Sequence, residues 1–153
     1  MRFLFPLLVA VATLSVACGS EGSGGGLPKD LPAAVAALQA RPEHTADSVE
    51  VQHILIAFQG AARATVTRSK AEAEKLTGEI YARALGGEDF TKLMREFSTD
   101  PGPGTYPMTK QTRSGMVAGF GDVGWRLQVG EIGIAPYDQA KSPFGWHIIK
   151  RLK

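Results

Sequence analysis

The chain reads as an α+β domain, a mostly antiparallel sheet with helices packed around it. Three observations predict this class. Apolar residues alternate with period two in Val49–Phe58 and again in Trp146–Leu152, which marks two strands near opposite ends of one body. Two segments between them follow helical spacing instead. The resulting order, β-α-α-β-α-β-β, excludes a simple repeated βαβ design.

In the first strand Val51, His53, Leu55 and Ala57 share one face, and Ile54, Ile56 and Phe58 share the other. Both faces are apolar, as expected of a central strand covered on two sides. The loop QGAARATVTR follows, and its Arg63 and Arg68 read as solvated charges. Ser69 with Glu72 three residues later forms a capping box, and Ala73, Leu76, Ile80 and Ala84 continue at helical spacing until Gly86-Gly87 stops the helix. A second helix spans about Asp89 to Phe97. Its Phe90, Leu93, Met94 and Phe97 at i, i+3, i+4 and i+7 give the strongest amphipathic pattern in the chain. STDPGPG then forms a turn. Tyr106–Met108 reads as a short strand, Met116–Leu127 contains a short helix, and Val129-Gly130-Glu131 turns the chain. Ile132–Ala135 and Trp146–Leu152 are two further strands, with His147 and Ile149 on one face of the last.

The start of the chain has another character. After Met1-Arg2, the stretch Phe3–Ala17 carries no charge, and it is short for a membrane-spanning helix. Residues 1–17 have the shape of a secretory signal peptide. Cys18 is the only cysteine, so an intrachain disulfide is impossible. Its place after Ser15-Val16-Ala17 resembles the lipobox of bacterial lipoproteins, although Leu14 stands one residue further back than usual. That resemblance implies acylation of Cys18 and a lipid anchor outside the cytoplasm. Gly19 is not the Asp that often retains lipoproteins in an inner membrane, which favours an outer one. GSEGSGGG is a flexible tether, and LPKDLPAAVAALQARPEH, with room for a short helix around Ala33–Ala40, reads as linker. The expected division is therefore 1–17 signal, 18–47 tether, and 48–153 folded domain.

Charge narrows the function classes. The 17 basic and 15 acidic residues nearly balance, and loss of residues 1–17 leaves 16 against 15. No basic run appears, which argues against nucleic acid as a partner. The roughly 105 residues from Ser48 onward suffice for one modest core.

One constellation stands above this background. His53 and His147 lie in strands, FSTDPG carries Asp100, and SGMVAGF carries Met116 and Phe120. Together they compose a polar cluster beside an apolar pocket. With HILI, FSTDPG, SGMVAGF, LQVGEIG and FGWHIIKRL in this order, the chain resembles a parvulin-type (PpiC-like) peptidyl-prolyl cis/trans isomerase over roughly Ser48–Leu152.

The resemblance implies a four-stranded, mainly antiparallel sheet surrounded by about four helices in the order βαααβαββ, with the two histidines side by side. It implies catalytic roles for His53, Asp100 and His147, with Ser142 where a hydroxyl often contacts the imidazoles. It also implies a proline pocket walled by Met108, Met116 and Phe120, with Trp125 as an aromatic nearby. No cofactor or metal is expected; His53, His147 and Asp100 lack the spacing of a zinc site. The implied partners are proline-containing segments of unfolded or exported proteins, with the membrane reached through Cys18.

Two departures stand out. The family's Gly-Gly-Asp-Leu-Gly stretch is replaced by GTYPMTKQTRSGM, and Arg63 and Arg68 lack adjacent basic residues, which argues against a phosphoserine preference. The first departure motivates an alternative, a non-catalytic peptide-binding chaperone using the same groove. A third reading is an anchored scaffold that binds one partner through its tether.

Overall fold

The computed structural model describes residues 31–153. The proposed signal segment, Cys18 and the glycine-rich stretch lie outside the described residues. Helix α1 (Leu31–Gln39) comes first, followed by β1 (Ser48–Ile56), α2 (Lys70–Leu85), α3 (Phe90–Phe97) and β2 (Thr105–Thr109). A 3₁₀ turn (Arg113–Gly115), α4 (Ala118–Arg126), β3 (Ile132–Ala135) and β4 (Trp146–Arg151) complete the chain.

The four strands form one antiparallel sheet in the order β2-β1-β4-β3. The α+β architecture is the expected one. From β1 onward the order is the β-α-α-β-α-β-β read from the residues, with α1 added before it; it differs from the order implied by the resemblance in that two helices, not three, separate β1 from β2.

The alternation read from the first strand builds two cores. Ile54, Ile56, Ile134, Trp146 and Ile148 face α2 and α3, where Ala73, Ile80, Phe90 and Leu93 are buried against them. Val49, Val51, Met108 and Ile149 face the other way, against Phe120, Val123 and Trp125 of α4. Local signals set the helix ends: Ser69 and Glu72 make the reciprocal capping box, and the Asp89 carboxylate caps α3 by accepting from the Lys92 amide.

Residues 31–47, read as linker, are packed onto this body. Leu38 of α1 is 5% exposed and sits in the second core, and Trp125 Nε1 donates to the Ala46 carbonyl at 3.2 Å. Folded structure therefore begins upstream of β1. The short helix allowed around Ala33–Ala40 is present, but its docking escapes a sequence reading because LPAAVAALQ is apolar nearly all round, so no face stands out.

Candidate active site

β1 and β4 carry the two histidines to the centre of the sheet. His53 pairs with Ile149 and Leu55 with His147, so the imidazoles are diagonal neighbours on one face. Their Nδ1 atoms lie 3.1 Å apart and the rings are nearly parallel, at 14°.

Asp100 reaches them through the turn after α3. That turn runs along the part of β1 that β2 leaves uncovered. Ser98 Oγ accepts from the Leu55 amide, Thr99 Oγ1 accepts from the Ala57 amide, and the His53 amide donates to Gly104 O. Strand-like pairing is thus continued by side chains, and Asp100 is delivered beside His53. Its Oδ2 accepts from His53 Nε2 at 2.9 Å and from the Tyr106 hydroxyl at 2.7 Å.

The carboxylate assigns one proton. A carboxylate only accepts, so His53 Nε2 donates. Burial, reinforced by repulsion from His53, pushes the His147 pKa down to about 3, so that ring is neutral near pH 7. The two Nδ1 atoms share one hydrogen bond, and the tautomer of the pair sets which of them donates. His147 Nε2 is buried without a hydrogen-bond partner. The Asp100 carboxyl is held well below the usual range, first by the His53 hydrogen bond and then by that of Tyr106. Desolvation, followed by the bond to Asp100, raises the Tyr106 phenol to about 12. The imidazole pair thus ends on one fixed negative charge.

The cluster floors a cleft of about 520 Å³. Its apolar wall is Met116, Val117 and Phe120, with Phe120 edge-on to both imidazoles at centroid distances of 5.0 and 5.6 Å. Met116 precedes α4 instead of lying within it. Three glycines let that wall approach: a Cβ on Gly119 would press the Lys141 carbonyl, on Gly121 the Arg113 side chain, and on Gly124 Met108 and Val51.

Three residues stand elsewhere than the resemblance implied. Met108 is fully buried behind the wall, because strand alternation turns it under Gly124. Trp125 is also buried behind the wall, with the Arg113 guanidinium 5.0 Å from its ring centroid. Neither lines the cleft. The Ser142 hydroxyl donates to Gly145 O at 3.2 Å, which ties it to the turn into β4 and not to an imidazole.

Arg63, read as a solvated loop charge, lines the cleft and lies 5.5 Å from the Phe144 ring centroid. Sequence reasoning gave Tyr106, Thr99 and Phe144 no role; Tyr106 shares a strand face with Met108, which was the one available signal.

Chaperone SurA of Pseudomonas aeruginosa is 35% identical over 108 residues, covering 69% of this chain and 24% of that protein. Foldase protein PrsA of Geobacillus kaustophilus is 37% identical over 84 residues, covering 50% of this chain and 27% of that one. The chain thus spans about a quarter of the length of these relatives. Among solved structures, peptidyl-prolyl isomerase ESS1 from Candida albicans superposes with a TM-score of 0.60. At 21% identity it covers 79% of this chain and 73% of that one, a likeness of fold. The family described as the PPIC-type PPIASE domain matches residues 37–153, from within α1 to the last residue of β4 and beyond, and the chain belongs to it.

Proposed function

We propose that this protein is a peptidyl-prolyl cis/trans isomerase that assists the folding of exported proteins. The observation that carries the reading is the cleft itself: an apolar wall of Met116, Val117 and Phe120 facing the His53–His147–Asp100 line. Rotation about a peptide bond meets a barrier of about 18–20 kcal/mol, and unaided X-Pro isomerisation takes tens to hundreds of seconds. Amide resonance makes that barrier. Binding the twisted form better than either planar form lowers it, and no covalent step is required.

Each part has a place in that task. The Met116–Phe120 wall takes the pyrrolidine ring and excludes water from one side of the bond. The carbonyl side then turns next to the Asp100 carboxylate, whose negative charge disfavours build-up of charge on the planar amide oxygen. His53 and His147 hold Asp100 in position and hold each other's tautomer. Neither imidazole acts as a nucleophile.

A proline-peptide assay on the full chain tests the reading. Wild type should accelerate exchange, and Met116→Ala should lower kcat/KM about ten- to a hundredfold, as loss of roughly 1.5–3 kcal/mol of apolar grip implies. Met116 is half-buried, so the variant should remain folded. Suppression of aggregation with no acceleration on any peptide series would replace the isomerase by a non-catalytic peptide-binding chaperone.

The proposal extends to place. Residues 1–17 act as an export signal and Cys18 carries the lipid that holds the domain on a membrane outside the cytoplasm, the outer one where the cell has two. Several acyl chains anchor stably where one binds marginally. Cys18→Ser should move the protein from the membrane to the soluble fraction, and unchanged membrane association would contradict the anchor.

A further inference from the structure

Residues 41–47 run from the end of α1 to β1 as a strap, and the strap is bonded to the segment that carries the cleft's apolar wall. Glu43 is the main tie. Its two carboxylate oxygens accept from both terminal nitrogens of Arg113 at 2.7 Å each, and Arg126 Nη1 adds a bond at 3.0 Å. The Arg113 guanidinium continues to the Asp122 carboxylate of α4. Its stem lies across Gly121, where a Cβ would come within 3.1 Å of Arg113 Cγ, and its guanidinium lies over the Trp125 ring. Trp125 is in turn bonded to the strap at both ends: its carbonyl accepts from the His44 amide, and its indole donates to Ala46 O.

The position of Arg113 gives this network a consequence for the site. Arg113 opens the short 3₁₀ turn whose last carbonyl bond delivers Met116: the Met116 amide donates to Arg113 O at 3.0 Å. Thr112, at the head of that turn, makes no side-chain cap bond to it. A three-residue turn has little rigidity of its own. A planar bidentate pair, stacked on an aromatic ring and tied to a second carboxylate, supplies what the turn lacks. Exposed single ion pairs do little, but here the Arg113 side chain is 25% and the Glu43 side chain 34% exposed, and three carboxylate–guanidinium contacts converge.

We propose that Glu43 and Arg113 are positioning residues for the proline cup: the strap upstream of β1 fixes the 113–117 turn and thereby where Met116 stands in the cleft. This rests on the isomerase reading for its kinetic consequence, but not for its structural one. Small displacements of groups that orient a substrate carry large rate penalties.

The test compares Glu43→Gln with Glu88→Gln in the full chain. Glu88 makes an equally short bidentate pair with Arg83 and does not line the cleft. Glu43→Gln should raise KM for a proline peptide about tenfold while kcat stays within about twofold. It should also shift the Met116 methyl resonance of the free protein. Glu88→Gln should do neither. Arg113→Lys, which keeps the charge and loses the fork, should behave as Glu43→Gln does, and it carries the comparison if Glu43→Gln does not fold. An unmoved Met116 methyl, or equal KM changes in both glutamine variants, would overturn the proposal. Absence of isomerase activity in wild type would sink the isomerase reading alone, because the methyl comparison still decides whether the strap positions Met116.

Discussion

Acidification from pH 6 to pH 4 should strip the fold of about 1.4 kcal/mol per pH unit through His147 alone. Above its ordinary pKa of 6.5 the imidazole is neutral in folded and unfolded chains, so it imposes no cost there. As pH falls below 6.5 the unfolded chain takes up the proton. The buried ring does not until about pH 3, so the loss grows throughout that window and then levels off. Asp100 acts in a lower window. Its folded pKa is depressed below the ordinary 3.8, so its contribution is complete above that value and is lost as pH falls toward the depressed one. A small domain has about 5–15 kcal/mol in total, so two pH units at His147 remove a large share. Urea unfolding at pH 7, 6, 5 and 4 checks this. Wild type should show the slope, and His147→Leu, which has nothing to titrate at that position, should lose about one proton's worth of it. Parallel profiles would mean that burial does not hold His147 neutral.

Gly145→Ala should cost more than about 4 kcal/mol or abolish folding, a magnitude reserved for a few mechanisms. Two of them coincide here. Gly145 has φ +140°, a region that L side chains rarely adopt, and a Cβ there would collide with the Ile56 carbonyl, where β1 ends. Backbone cannot move aside as a flexible side chain does. The residue also opens β4 one position before Trp146 and accepts the Ser142 hydroxyl, so relief of the clash would shift the strand that carries His147. Thermal unfolding monitored by circular dichroism gives the answer, with Gly78→Ala as the control because a Cβ at Gly78 meets nothing. Equal melting temperatures in the two variants would contradict the strain argument.

The legible parts of this fold were those whose cause is local. Phe90, Leu93, Met94 and Phe97 declare α3 by spacing, Ser69 and Glu72 declare the start of α2, and alternation in β1 and β4 placed each histidine on its correct face. The diagonal register that sets the imidazole nitrogens 3.1 Å apart is a pairing between residues 94 positions apart, which no local pattern encodes. The same holds for Asp100. FSTDPG reads as a turn, but its delivery to His53 depends on Ser98 and Thr99 bonding to β1 amides. Met108 and Trp125 were legible as apolar residues of the pocket region. Whether they line the cleft or pack behind it depends on how closely α4 approaches the sheet, which its glycines decide. The α1 helix was legible but its docking was not, since a uniformly apolar helix shows no face until Leu38 finds the second core.

The central claim is that this cleft grips an imide in its twisted form. Exchange spectroscopy on a short proline peptide observes that directly, because cis and trans resonances report interconversion without a coupled protease. With the full chain at substoichiometric concentration, exchange cross-peaks should appear on a sub-second mixing time, against tens of seconds or more unaided. They should fade in Met116→Ala, and the Met116 methyl and His53 ring signals of wild type should shift on peptide addition. Peptide-induced shifts at Met116 and His53 without exchange cross-peaks would contradict the account, leaving a cleft that binds proline segments without turning them.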